Sequence, residues 1–315
     1  MSKIKVLCAF GVPDEMARRL KEEIGPVTIL NSHEEDEIVD AIKDQHVFVV
    51  RSKPKVTPRI IENAPVLRVV ARPGVGTDNI DKESCARHNV EVVNTPESSV
   101  SSVAEFTIGL AVSMMRHIYT TCALLKEGQW GKGKYTGKTV EGKTWGIIGF
   151  GGIGRRVAEI ASAMRAEVVG FDPYVPEEEF NNHGARRVLR LEELLEKSDI
   201  VSLHVILNEQ TRNLLSAEAL AMMKKGAYII NTSRGKVIDQ AALRQALEEG
   251  HIGGAALDVF DTEPPEDREM ICQENLITTP HIGGSTKEAF QQATEIMIRK
   301  LKDLLQPDLT GPIGD

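Results

Sequence analysis

The chain is poor in aromatic residues, which fill only 4% of its 315 positions, and it has only four cysteines. Cys8, Cys85, Cys122 and Cys272 lie far apart, and no two have Cys-x-x-Cys spacing. That excludes a disulfide framework or a zinc ribbon, leaves no metal site to expect, and reads as scattered thiols of a reducing cytoplasm. Positive charge is in deficit as well: Lys plus Arg number 38 against 46 for Asp plus Glu, a net charge of −8 that opposes non-specific attraction to nucleic acid or to an anionic membrane. A basic run, Ala185 to Arg190, reads in this acidic context as a solvated face or turn. The apolar stretch before Asp14 is too short for a secretory signal. Val103 to Leu125 is interrupted by Glu105, Arg116 and His117, short of the ~20 predominantly apolar residues that span a bilayer. A buried helix is expected there instead.

At roughly 150 residues per domain, the length favours two domains. Short β-branched runs alternate with helical segments through the first hundred residues. Ile4 to Phe10, Val47 to Val50 and Leu67 to Ala71 are strand candidates. Pro13 to Ile24 is a helix starting at a proline, Thr57-Pro58 has the form of an N-cap followed by such a proline, and Asn79 to His88 is a further helix. A long helix is expected from about Ser99 to Gly128, followed by a Gly- and Lys-rich boundary or arm to Gly142. The alternation then restarts with six strand candidates: Trp145 to Ile148, Glu167 to Phe171, Ile200 to Val205, Ala227 to Asn231, Gly254 to Val259 and Leu276 to Thr279. The pattern predicts an α/β protein of two doubly wound parallel-sheet domains, the second of nucleotide-binding type.

Gly149-Phe150-Gly151-Gly152-Ile153-Gly154 is a G-x-G-x-x-G between an apolar strand and a helical periodicity. Gly149 permits the tight turn, Gly151 lets backbone N–H groups approach a pyrophosphate, and Gly154 allows close helix–strand packing, with the anion at the helix N-terminus. Asp172 ends the next strand 18 residues after Gly154. There a carboxylate accepts hydrogen bonds from an adenosine ribose and repels a 2′-phosphate. Pro173, Tyr174 and Val175 follow without an arginine, which favours NAD over NADP.

Three more segments sit at predicted strand ends: Asn231-Thr232-Ser233-Arg234-Gly235, Leu257 to Pro265, and Pro280-His281-Ile282-Gly283-Gly284-Ser285-Thr286. On these motifs the chain resembles the D-isomer-specific 2-hydroxyacid dehydrogenases, over about Val49 to Glu288. The resemblance implies a catalytic trio of Arg234, Glu263 and His281. Oxidising a secondary alcohol by hydride transfer needs a group to take the hydroxyl proton, and histidine suits that exchange near neutral pH. Glu263 would hold its other ring nitrogen, and Arg234 would offer a planar fork to the substrate's carboxylate and carbonyl.

By the same resemblance Gly152, Ile153, Val205, Thr232, Ser233, Asp258, Gly283 and Gly284 join the glycine turn and Asp172 around NAD. Asp258 would face the nicotinamide carboxamide. In the loop Arg72-Pro73-Gly74-Val75-Gly76, the amides of Val75 and Gly76 would bind the substrate carboxylate. Ile206 departs from the pattern, standing where the family usually has proline, which puts the shape of loop 205–211 in question. Ser285 with Glu288 also reads as a capping box for the last helix, expected to end near Leu305.

Within the family the chain looks most like the phosphoglycerate dehydrogenases, through Val50-Arg51-Ser52, the Arg72 loop and the segment from His281. Arg51 and Arg72 would add positive charge for a phosphorylated acid. Glyoxylate or hydroxypyruvate reduction is the alternative, as is a non-catalytic NAD-sensing protein of the corepressor kind. Formate dehydrogenases carry Gln where Glu263 stands. The resemblance also implies a substrate domain of residues 1–98 and 287–315, a nucleotide domain of 99–286, substrate in the cleft between them, and a homodimer or homotetramer joined through the nucleotide domains. Lys132 and Lys134 would reach the neighbouring subunit. No appended regulatory domain is expected after the last helix.

Overall fold

The structure, a computed structural model, describes residues 4–9 and 11–309; Phe10, assigned to the first strand, and residues 310–315, assigned to the substrate domain, lie outside them. The chain divides into two compact units, Met1–Ser99 with Ser285–Asp315, and Val100–Gly284.

The first unit holds five parallel strands: β1 (Val6–Cys8), β2 (Val27–Ile29), β3 (Val47–Val49), β4 (Val69–Arg72) and β5 (Glu91–Asn94). Their order, β2-β1-β3-β4-β5, is that of a flavodoxin-like sheet. Helices cover both faces of such a sheet, so its inner strands read as continuous apolar runs. β1 and β3 are fully buried and have that signature. β2 and β5 lie at the two edges, are partly exposed and carry polar residues, so the same signature is missing from them.

All but one of the expected helix starts are displaced, by one to three residues. Pro13 caps the helix Asp14–Glu23 from an extended conformation rather than occupying its first turn. Pro58 does open the helix Pro58–Glu62, with the Thr57 hydroxyl accepting from the Ile60 N–H. Lys82–Arg87 starts later than Asn79, because the Asp81 carboxylate takes the Ser84 N–H at 2.7 Å. At the last helix, Lys287–Leu309, Thr286 rather than Ser285 is the cap, accepting from the Ala289 N–H at 3.1 Å. That helix runs four residues past Leu305. Its Met297, Ile298, Leu301 and Leu305 are buried with Val6, Met16 and Leu20 in one core cluster, each large side chain contributing about 1.5–3 kcal/mol.

The second unit holds seven parallel strands, one more than expected: β6 (Thr144–Ile148), β7 (Glu167–Phe171), β8 (Arg186–Arg187), β9 (Ile200–Leu203), β10 (Ala227–Asn231), β11 (Ile252–Leu257) and β12 (Leu276–Thr278). The extra strand is β8, in the basic run read as a solvated face or turn; two arginines at a sheet edge have no apolar pattern to betray them. The order is β12-β11-β10-β9-β6-β7-β8. The chain therefore reverses direction across the sheet between β6 and β9, the switch point at which doubly wound sheets bind dinucleotides.

The expected long helix is two helices, Val100–Met115 and Ile118–Lys126, broken where His117 takes a left-handed backbone conformation (φ 52°). By length and composition the helical run Pro96–Met115 is apolar enough to cross a membrane. In the fold Ala104, Leu110, Ala111, Met114 and Met115 are core residues beside Trp145, Ile147 and Val157. Residues 127–143 form no helix or strand, are mostly exposed, and lie inside the second unit. They make an arm, not a domain boundary.

Candidate active site

The turn after β6 is built by absent side chains. Gly149 has φ 90°, and a Cβ there would meet the His204 carbonyl at 2.7 Å; one on Gly154 would meet the Gly149 oxygen at 2.1 Å. Gly151 differs, because a Cβ would meet nothing within 4 Å. It faces open space at the start of the helix Gly152–Ala163, whose first N–H groups have no partner within the helix and carry its positive dipole end. The Asp172 carboxylate, at the end of β7, accepts from the Phe150 N–H at 2.9 Å and the Tyr174 N–H at 3.0 Å. One oxygen on each side is thereby oriented, with lone pairs left for further donors. A glycine cradle open at Gly151, a helix N-terminus and an oriented carboxylate fit the pyrophosphate and ribose of a dinucleotide.

His204 and Val205 follow β9, beside that turn. The Trp145 indole donates to the Ser202 hydroxyl at 2.9 Å, and Ser202 lies 3.0 Å from His204 Nε2. Burial pushes the His204 imidazole down to about 3, so it stays neutral. Beyond it the loop with Ile206 is shaped without proline: the Thr211 hydroxyl donates to the Ile206 carbonyl at 2.6 Å, and Asn208 Oδ1 accepts from the Gln210 and Thr211 N–H groups at 2.9 and 3.0 Å. An Asx turn thus does the work expected of the missing ring.

The ends of β10, β11 and β12 bring the charged residues in. His281 Nδ1 lies 2.8 Å from Glu263 Oε2. A carboxylate only accepts, so Nδ1 carries a proton, and in the neutral ring Nε2 is the nitrogen that presents a lone pair. Glu263 is itself oriented by the Phe260 N–H, 3.2 Å from Oε1. His281 has a left-handed backbone (φ 53°), a conformation that a non-glycine residue keeps only when its surroundings impose it. Asp258 imposes it. This buried carboxylate accepts from the Thr279 hydroxyl (2.6 Å), the Ile282 N–H (2.9 Å) and the Gly283 N–H (2.8 Å), and the His281 N–H bonds the Asp258 carbonyl at 2.9 Å. Three of about four acceptor sites are thus engaged by the histidine loop, leaving one for the contact that the resemblance implies.

Arg234 follows β10 and is half-buried, with Nη1 donating to the Ser233 carbonyl at 2.6 Å. Its backbone is fixed by Asn231, whose Nδ2 donates to the Arg234 carbonyl at 2.9 Å while Oδ1 accepts from the N–H and hydroxyl of Ser233. Thr232 Oγ1 pairs with Thr107 Oγ1 at 3.0 Å. Gly235 lets this turn lie against the Phe260 backbone, where a Cβ would stand 2.0 Å from the carbonyl carbon. Asn231 and Thr279 received no role from the sequence; a buried amide at a strand end before Thr-Ser was the available signal. Gly283 lies against Asp258, and Gly284 closes the second unit.

Within the first unit, Arg72 Nε and Asn79 Nδ2 donate to the Arg51 carbonyl at 3.2 and 2.9 Å. The 73–76 loop is tied to β5 by Asn94 Nδ2, donating to the Val75 carbonyl at 2.7 Å, and by Thr95 Oγ1, accepting from the Gly74 N–H at 2.7 Å. Among the described residues, the Val75 and Gly76 N–H groups have no hydrogen-bond partner.

A family model for the D-isomer specific 2-hydroxyacid dehydrogenase, NAD binding domain, matches residues 108–283. The chain is 42% identical to the D-3-phosphoglycerate dehydrogenase of Methanocaldococcus jannaschii, over 94% of this chain and 56% of that one. It is 40% identical to the hydroxypyruvate reductase of Thermotoga maritima, over 91% of this chain and 94% of the relative. A D-lactate dehydrogenase from Aquifex aeolicus, crystallised with NAD and lactic acid, superposes with a TM-score of 0.86 at 28% identity, covering 96% of each chain. The chain belongs to the D-isomer-specific 2-hydroxyacid dehydrogenase family and carries its NAD-binding domain. It spans about half the length of the D-3-phosphoglycerate dehydrogenases it matches, 48% to 56%.

Proposed function

We propose that this protein moves a hydride between a D-2-hydroxy acid and NAD, and that D-3-phosphoglycerate is the acid. The His281–Glu263 pair carries the reading, since the carboxylate holds the Nδ1 side of the ring and leaves the other ring nitrogen, Nε2, to exchange a proton. Bound NAD supplies the hydride acceptor. His281 Nε2 takes the hydroxyl proton as the acid is oxidised and returns it in reduction, while Glu263 keeps the ring oriented. Arg234 binds the substrate's carboxylate and carbonyl oxygens, and the helix start at Gly152 and the Asp172 carboxylate hold the two ends of the adenosine diphosphate part. In the first unit, the uncommitted Val75 and Gly76 N–H groups are the candidate carboxylate ligands, and Arg51 and Arg72 the candidate phosphate ligands.

Hydroxypyruvate reduction is the second reading, favoured by the relative from Thermotoga maritima, which matches along nearly its whole length. A homodimer or homotetramer is proposed on the exposed Ile118, Tyr119, Leu125 and Trp130 of the helix and arm. Residues 1–98 with 287–315 are proposed as the substrate domain and 99–286 as the nucleotide domain. A cytoplasmic location accords with four free thiols. The test is a spectrophotometric panel: D-3-phosphoglycerate, D-glycerate and D-lactate with NAD, and hydroxypyruvate, glyoxylate and pyruvate with NADH. Preferred turnover of D-3-phosphoglycerate supports the proposal. NAD binding without turnover of any acid supports the non-catalytic alternative instead.

A further inference from the structure

Arg51 is two residues past β3, with its backbone carbonyl clamped by Arg72, by Asn79 and, through Asn79, to the Pro54 carbonyl. Its guanidinium lies over the ring of Phe290, 4.9 Å from the centroid, and Nη1 donates to the Gly11 carbonyl at 3.3 Å. Phe290 is in the first turn of the helix Lys287–Leu309, half-buried, its own N–H bonded to the Thr286 carbonyl at 3.1 Å. All these groups belong to the first unit.

The arrangement is unusual for an arginine. Arg18, Arg19, Arg59, Arg155, Arg156 and Arg244, by contrast, pair with carboxylates. Arg51 makes no such pair within 4 Å among the described residues. It is partly withdrawn from water, and that withdrawal alone disfavours its charge. An aromatic face attracts the cation and holds the planar group in one orientation without neutralising it. One edge is spent on a backbone carbonyl; the rest of the fork keeps its donors and its full charge for an anion.

We propose that Phe290 is a positioning residue for substrate choice: its ring sets the Arg51 guanidinium to receive a second anionic group, a phosphoryl group, on the substrate. The inference rests on the proposed function and deepens it, since it concerns which 2-hydroxy acids the same site prefers. A ring at this position rewards the phosphorylated acid.

Phe290→Leu removes the aromatic face and keeps an apolar side chain of similar burial, and Phe290→Tyr restores the face. The two variants and the unmodified protein are compared by steady-state kinetics with D-3-phosphoglycerate and with D-glycerate, and by calorimetric titration of inorganic phosphate into the protein without substrate. Phe290→Leu should raise KM for D-3-phosphoglycerate about two- to fivefold, the usual worth of one such cation–ring contact. Its kcat should hold, its KM for D-glycerate should stay, and Phe290→Tyr should recover the loss. Equal changes for both acids, or no change for either, overturn the proposal. Should the unmodified protein turn over no phosphorylated acid, the proposed substrate falls and the titration decides: weaker phosphate binding in Phe290→Leu alone supports the positioning role, and equal binding in all three proteins rejects it.

Discussion

The two halves of the seven-stranded sheet build their sites from different materials. On the side of β6 and β7 the cradle is made of backbone and missing Cβ atoms, with Asp172 its main side chain. On the side of β10, β11 and β12 it is made of side chains that hold one another: Asn231 holds the Arg234 turn, Asp258 holds the His281 loop, and Glu263 holds the imidazole. Damage to the first half should therefore appear in stability and cofactor affinity. Damage to the second should appear in turnover with the fold intact.

Gly154→Ala is the harshest way to break the first half. Its methyl would stand 2.1 Å from the Gly149 oxygen, and a clash with backbone should cost about 3 kcal/mol or more. Urea unfolding checks this, and an unchanged midpoint would show that helix and strand can part.

His204, where the halves meet, gives a pH test. Its imidazole sits far below the ordinary histidine value, at about 3, so the unfolded chain takes up the proton first. The stabilisation is present above about pH 6.5 and is lost as pH falls toward 3, reaching about 2 kcal/mol at pH 5. Unfolding at pH 7 and pH 5 should show that loss in the unmodified protein, and His204→Gln should lack it.

Gly151→Ala sharpens the contrast with Gly154, because its methyl enters open space. The melting temperature should stay, while NAD affinity in a fluorescence titration falls about tenfold through crowding of the bound anion. Equal loss of stability in both alanine variants would erase the distinction. Asp172→Ala is milder and should narrow the preference for NAD over NADP by about fivefold, the worth of one hydrogen bond to the ribose; unaltered selectivity would remove Asp172 from the ribose site.

The same division explains what the sequence disclosed. Backbone-built features leave a spacing, so Gly149, Gly151, Gly154 and Asp172 could be read in order. The trio of Arg234, Glu263 and His281 came from the family resemblance of motifs at strand ends, but the hydrogen bonds that orient it did not, because Asp258 and Thr279 meet from the ends of two different strands and the Asn231 amide acts inside a turn with no spacing of its own. β2, β5 and β8 were hidden because edge strands lack the apolar run of buried ones. The break at His117 was hidden because the helical pattern continues on both sides of a single left-handed residue.

The account depends most on the imidazole of His281, and NADH formation at 340 nm by His281→Gln tests it most directly. With D-3-phosphoglycerate, kcat should fall ~10²- to 10⁴-fold while the NAD dissociation constant stays as in the unmodified protein. A variant that still turns over at the original rate would contradict the proton-transfer role and the reading built on it.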